Sequence, residues 1–344
     1  MGDVIHAFPA VHLLRRHFPE SSITWLVNDV YAELVERLPD INRVTPFRRA
    51  RWGNPRYWPE LVSAVKELRD EKYDVAVDFQ GLLRSSLIAY LSGAPRRIGF
   101  RHGREGSPLF YTDKIRIPPE TKHAIEKNVS LVSSAFNVPI SIEMPTLAVS
   151  SAGEREAEKI LGRGIAGDET SHPLMAVAPA SRWASKTWPP QFFADVIREV
   201  KSSVPRTRVW LVGTRPEREI GDRVTELSAP FTVQNLMGQI NLATLTELLR
   251  KSHVLVTNDS GPMHLAAALG TRVIALFGPT DPALTGPYGE MHQVFRGKCD
   301  KAPCMRRKCP DVEPRCWDSV DHAEVSNCVK AYFQENLQYE KSRP

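Results

Sequence analysis

The sequence predicts an α/β protein of two doubly wound, Rossmann-like domains facing across a cleft. Three observations lead there. Apolar runs of strand length alternate with helical periodicity along nearly the whole chain, a Pro- and Ser-rich stretch at 137–150 interrupts that pattern, and several runs end in Gly- or Asp-bearing loops that open a helix. At 344 residues the chain exceeds one ordinary core. Its 42% hydrophobic and 25% charged residues are ordinary for a globular protein. No apolar run approaches the roughly 20 residues that span a bilayer, and no signal peptide opens the chain, so a cytoplasmic protein is expected. A net charge of +5 is too mild to argue for nucleic acid.

The elements follow in order. After Met1-Gly2-Asp3-Val4-Ile5-His6 comes a helical pattern (Ala7, Val11, Leu13, Leu14, Phe18) that Pro9 can join only in its first turn. A strand from Ile23 to Val27, a helix from Tyr31 to Leu38 and a strand from Arg43 to Phe47 are predicted next. A helix from Glu60 to Asp70 leads to a strand from Tyr73 to Phe79, ending at Gln80-Gly81. The predicted helix Leu83 to Leu91 stops at Gly93, Arg97 to Phe100 reads as a strand, and a helix from His123 to Phe136 closes this half. The second half opens with a helix from Gly153 to Leu161. The strand Pro173 to Ala178, helix Gln191 to Ser202, strand Arg208 to Val212 and helix Glu217 to Leu227 make a βαβ repeat. The helix Leu242 to Lys251 precedes the stretch His253 to Pro282, and a tail helix spans Val320 to Leu337. The domains are expected at 1–145 and 146–319, with a tail at 320–344.

His253 to Pro282 reads as strand, tight loop, short alanine-rich helix and strand. Its loop, Asn258-Asp259-Ser260-Gly261, lies where a helix points unpaired N–H groups and its positive dipole end outward, a site for phosphate. Ser260 and Gly261 can offer backbone N–H groups, Asp259 a carboxylate for sugar hydroxyls, and His264 a donor one turn on. The competing reading makes Asp259 or Ser260 a helix cap and His264 a core histidine. The loop Pro179 to Pro190 carries Ser181, Arg182 and Lys186. A lysine fixed between Trp183 and Trp188 suits a leaving diphosphate, although most lysines are solvated surface groups. Glu217, at a helix start after Gly213, suits ribose hydroxyls or only complements the helix dipole. Three such loops after strands favour a nucleotide diphosphate site over three separate capping accidents.

In the first half Asp3 is placed to cap a helix, or to take a proton from an acceptor hydroxyl as general base. The segment Phe47 to Trp58, with Arg48, Arg49 and Arg51, is basic and aromatic; a second basic loop carries Arg96, Arg97, Arg101, His102 and Arg104. These are solvated faces, or grips for an acidic acceptor's carboxylates or phosphates. Cys299, Cys304, Cys309, Cys316 and Cys328 follow C-x4-C-x4-C-x6-C-x11-C, without the C-x2-C knuckle of zinc sites; reduced thiols are favoured over a metal site.

With these residues in view, the chain resembles the lipopolysaccharide heptosyltransferase family, the ADP-heptose enzymes among the inverting GT-B glycosyltransferases. The resemblance rests on Gly2-Asp3-Val4-Ile5-His6 with Pro9-Ala10, Asp78-Phe79-Gln80-Gly81-Leu82 with Ser85, Ser181 through Lys186 to Trp188-Pro189, Thr257 to Gly261 with His264, and Phe277 to Pro282. It implies a GT-B fold with an acceptor-binding first domain and a nucleotide-sugar-binding second one. It implies Asp3 as catalytic base, Lys186 and the N–H groups of Ser260 and Gly261 at the diphosphate, Asp259 on the donor sugar and Glu217 near the ribose. Arg48 and Arg51 match a region that grips the acidic inner-core sugar or its phosphates. ADP-heptose is the implied co-substrate, without a metal or further cofactor as a requirement. The partners implied are an acidic lipopolysaccharide core and, peripherally, the inner membrane's cytoplasmic face. Family members carry an apolar strand directly before Gly-Asp-Val; here Met1 stands in its last position, so the first strand of the N-terminal domain is expected to be missing, through a start placed too far downstream or a damaged copy. A transferase using another nucleotide sugar and a non-catalytic binding homologue stay open. A dehydrogenase is disfavoured, since no G-x-G-x-x-G follows a first strand.

Overall fold

The computed structural model describes residues 1–48, 54–162, 172–309 and 315–341. The chain divides into two compact units, Asp3–Leu147 and Ala148–Pro344, the latter joined by Met1–Gly2. It opens with α1 (Gly2–Ile5) and α2 (Phe8–His17), with Pro9 in the first turn of α2. There follow β1 (Thr24–Asn28), α3 (Ala32–Val35), β2 (Arg43–Phe47), α4 (Trp58–Asp70), β3 (Val75–Asp78), α5 (Leu83–Leu91), β4 (Arg96–Phe100), β5 (Asp113–Ile115) and α6 (Ala124–Phe136). The α3 helix is shorter than predicted: a 3-10 turn, Asp29–Tyr31, takes its first residue, with Asn28 Oδ1 accepting the Val30 N–H at 3.2 Å, and the chain turns out of the helix after Val35. Helices α2 and α6 bury Ala10 and Leu13 against Val129 and Val132, and Asn128 Nδ2 donates to the His6 carbonyl at 3.0 Å.

The strands of this unit form two separate parallel sheets, β1-β2 and β3-β4-β5. Among the described residues β1 and β3 are therefore open edges, and each is mostly half-buried.

The second unit contains α7 (Ser151–Gly162), β6 (Leu174–Ala178), α8 (Pro190–Ser203), β7 (Arg208–Leu211), α9 (Arg218–Leu227), β8 (Gln234–Asn235), α10 (Leu242–Lys251), β9 (Val254–Asn258), α11 (Gly261–Ala268), β10 (Arg272–Phe277), α12 (Pro282–Thr285), β11 (Gln293–Arg296) and α13 (His322–Lys341). One parallel sheet runs β11-β10-β9-β6-β7-β8. Counted within the unit, that is sixth, fifth, fourth, first, second, third: the doubly wound Rossmann order, which reverses between β6 and β9. Its central strands are near-continuous apolar runs because helices cover both faces. Helix α8 turns Phe193, Val196, Ile197 and Val200 inward at helical spacing, and α13 returns Val325, Val329 and Phe333 to the same core. The short strands β5, β8 and β11 were not predicted, since edge strands carry no long apolar run.

Candidate active site

The site grows out of the reversal in strand order. Strand β9 is buried throughout, and Asn258 at its end is fully buried. A buried amide needs partners. Asn258 Oδ1 accepts the Trp188 N–H at 3.0 Å and its Nδ2 donates to the Pro179 carbonyl at 2.8 Å, so one side chain ties both ends of the loop after β6 to the end of β9. Asp259, also buried, is the centre of the next layer. Its Oδ2 accepts from Lys186 Nζ at 2.6 Å and from Thr280 Oγ1 at 2.8 Å, while its carbonyl accepts from Ser181 Oγ at 3.0 Å. Loops after β6, β9 and β10 thus meet on one aspartate. Among the described residues both of its side-chain hydrogen bonds fall on Oδ2.

Ser260 is the N-cap position of α11, yet its side chain does not cap the helix; its hydroxyl lies 3.1 Å from Thr257 Oγ1. The helix start is therefore not blocked by its own cap. Met1 packs on Gly261, where an added Cβ would stand 3.2 Å from Met1 Cβ and Sδ. At Gly2 an added Cβ would meet the ring of His264 at 2.8 Å, so Gly2 is what lets the backbone pass the half-turn carrying the buried His264. The helix ends before Gly270, whose φ of 76° requires glycine although the space beside it is open.

Lys186 is fixed on one side only, correcting the expectation of two flanking indoles. Its Nζ lies 4.4 Å from the Trp183 ring centroid, whereas Trp188 is fully buried against Phe192 and Phe193 and serves the loop through the core. Glu217 closes a capping box: its Oε2 accepts from the Thr214 N–H at 2.8 Å and hydroxyl at 2.6 Å. Its loop follows β7, the neighbour of β6, and so opens on the same edge of the sheet, but among the described residues no bond joins Glu217 to Asp259. The motif reading missed Asn258 and Thr280 as participants. Both were in view, Asn258 as a polar residue ending an apolar strand and Thr280 within Phe277 to Pro282.

In the other unit Asp3 is exposed in the short α1, ahead of α2. Arg48 is half-exposed with Nη1 3.8 Å from Glu60 Oε2, and Arg101 is exposed just after β4. Arg49 and Arg51 lie outside the described residues. Arg96 and Arg97 are structural: Arg96 pairs with Asp113 at 2.7 Å, and Arg97 donates to the Phe110 carbonyl at 2.9 Å. Asp78 is a hub. Its Oδ1 accepts from the Gln80 and Gly81 N–H groups at 2.8 and 3.2 Å, its Oδ2 from Ser85 Oγ at 2.8 Å and Tyr111 Oη at 2.6 Å. Burial, then the Asp78 charge, pushes the Tyr111 phenol up. His6, buried beside His123 with ring centroids 5.7 Å apart, is pushed down to about 3, by burial first and then by His123.

The five cysteines are free thiols. Burial, then the neighbouring Cys299, Cys309 and Cys304, raises Cys316 to about 11. Among the described residues no group of three or more His, Cys, Asp or Glu could hold a metal ion. The cysteine segment instead braces the site: Ser185 Oγ donates to the Arg306 carbonyl at 2.7 Å, Trp317 Nε1 to the Ser185 carbonyl at 3.2 Å, and the Met305 N–H to the Pro279 carbonyl at 2.9 Å.

Comparison with known proteins supplies the family. Residues 61–313 match the family model of glycosyltransferase family 9 (heptosyltransferase). The chain is 27% identical over 320 residues to lipopolysaccharide heptosyltransferase 1 of Pseudomonas aeruginosa, covering 90% of this chain and 84% of that protein. Among solved structures, a family 9 glycosyl transferase from Veillonella parvula aligns with a TM-score of 0.83 at 21% identity, over 97% of this chain and 95% of that one. The Escherichia coli heptosyltransferase WaaC, solved with ADP, aligns with a TM-score of 0.76 at 23% identity, over 96% and 97%. The fold is that of the GT-B glycosyltransferases.

Proposed function

This chain belongs to glycosyltransferase family 9, the heptosyltransferases, and on that premise we propose that it transfers heptose from ADP-heptose to the lipopolysaccharide inner core with inversion at the anomeric carbon. The observation that carries the reading is the Lys186-Asp259-Thr280 cluster, set beside a helix start at the switch point of a Rossmann sheet. Asp259 turns one oxygen to Lys186 and Thr280, which supports its other oxygen as the acceptor of donor-sugar hydroxyl protons. The Lys186 ammonium and the N–H groups at Ser260 and Gly261 hold the diphosphate, with Ser181 and His264 around it and Glu217 at the ribose. Asp3 takes the proton of the acceptor hydroxyl. The new oxygen–carbon bond then forms as the anomeric carbon–phosphate oxygen bond breaks, and the electron pair leaves with ADP. Negative charge grows on the diphosphate during that step, so the cation and helix dipole stabilise the transition state more than the ground state. Arg48 and Arg101, with the basic segment between β2 and α4, grip the acidic acceptor, and the acceptor's lipid holds the reaction at the cytoplasmic membrane face.

Purified protein incubated with ADP-heptose and Kdo-bearing lipid A should yield heptosylated product and ADP. Asp3→Ala should abolish transfer while leaving ADP binding intact. Transfer from a different nucleotide sugar alone would overturn the choice of donor, and tight ADP binding with no transfer from any donor would make the chain a binding homologue.

A further inference from the structure

One face of the first unit carries exposed apolar side chains with arginines beside them. Along α5, Leu83, Leu87, Tyr90 and Leu91 recur at helical spacing, and all four are exposed, Tyr90 by 52%. A soluble surface helix normally turns such a stripe inward. The 3-10 turn Ser107–Phe110 packs alongside and carries Leu109 at 80% exposure. The two pieces form one surface. The Arg104 N–H and Ser107 hydroxyl both donate to the Gly81 carbonyl, at 2.9 and 3.1 Å, just before α5, and Tyr90 meets Phe110 edge-on at 5.7 Å near its other end.

The charge beside this face is mainly positive. Between Gly81 and Phe110 the chain carries Arg84, Arg97, Arg101 and Arg104 against a single acid, Glu105, while Arg96 is paired with Asp113. Arg84 and Arg104 are exposed, and the Arg97 guanidinium lies over the Tyr90 ring at 5.5 Å. Exposed leucines with an aromatic residue, flanked by arginines, are the pattern of a surface that enters the headgroup layer of a bilayer. A second copy of the chain fits poorly, because self-pairing would set arginines against arginines.

We propose that α5 and the Ser107–Phe110 turn form a peripheral membrane-docking surface that seats Leu109 and the α5 stripe among anionic lipid headgroups. The proposal rests on the acceptor being membrane-borne, and it names the surface that would bring the enzyme to it. The full chain should co-sediment with vesicles containing phosphatidylglycerol and not with phosphatidylcholine alone, and added salt should release it. Leu109→Asp should weaken vesicle binding at least tenfold. Arg84→Gln with Arg104→Gln should cost about fivefold for each charge removed, whereas Arg223→Gln, on the other unit, should change nothing. Wild-type protein that ignores anionic vesicles, or a Leu109→Asp variant that binds like wild type, overturns the proposal; so does a dimer in ultracentrifugation that Leu109→Asp dissolves, which would give the face to a second copy. Transfer to a deacylated, water-soluble core acceptor separates this from the proposed function. Leu109→Asp should match wild type there, and a wild type inactive on that acceptor counts against the function while vesicle binding still decides the surface.

Discussion

Asp259 and Asp78 occupy comparable places, each buried at the carboxyl end of a parallel strand just before a helix, one in each unit. Their surroundings differ. Asp78 receives two backbone N–H groups on one oxygen and two hydroxyls on the other, so both oxygens are occupied in holding the turn after β3. Asp259 receives a lysine and a threonine on one oxygen and directs the other away from them. A buried carboxylate whose lone pairs are all taken organises a fold; one that is held but not filled can bind. In family motifs the two look alike, as a polar residue closing an apolar run.

Removing the charge partner of Asp259 should have the largest effect. Lys186→Ala is expected to lower kcat by about 10²–10³-fold, the scale of losing one transition-state donor, measured by ADP release. If kcat changes little, the diphosphate is held elsewhere. Asp78→Ala should instead cost about 3 kcal/mol of stability, since it orphans buried donors; urea unfolding of the first unit would read it, and a loss of turnover at unchanged stability would contradict the division of roles. Acid should also find the first unit. His6 has its folded-state value depressed to about 3, so its contribution is complete above the ordinary histidine value of about 6.5 and declines as pH falls toward 3, because only the unfolded chain takes the proton. About 2 kcal/mol should be lost by pH 5, and His6→Phe should flatten that slope. The smallest effect belongs to Thr280→Val, expected to lower kcat about tenfold, roughly 1.4 kcal/mol, with Thr280→Ser near wild type and the melting temperature steady. Equal losses in both variants would show that the methyl packing matters, not the hydroxyl.

Periodicity alone located the main helices and the long strands, because burial on two faces writes apolar runs and burial on one face writes helical stripes. It could not find β5, β8 and β11, whose stability comes from a neighbour rather than from their own residues. The composition of the loop 179–190 set Trp188 beside Lys186, whereas that ring lies in the core.

The sequence by itself determined the α/β class, the family and the strand, tight loop and helix around Asn258 to Gly261, since these depend on local patterns. Only the tertiary structure decided that Asn258 ties the loop after β6 to β9 and that Thr280 bonds Asp259, that Glu217 is bonded within its own loop, and that the first unit's strands stand as two sheets. Those outcomes are set by hydrogen-bond partners far apart in the chain, such as Thr280 and Asp259 or Asn258 and Pro179, and a partner's geometry is not written in the residues beside it.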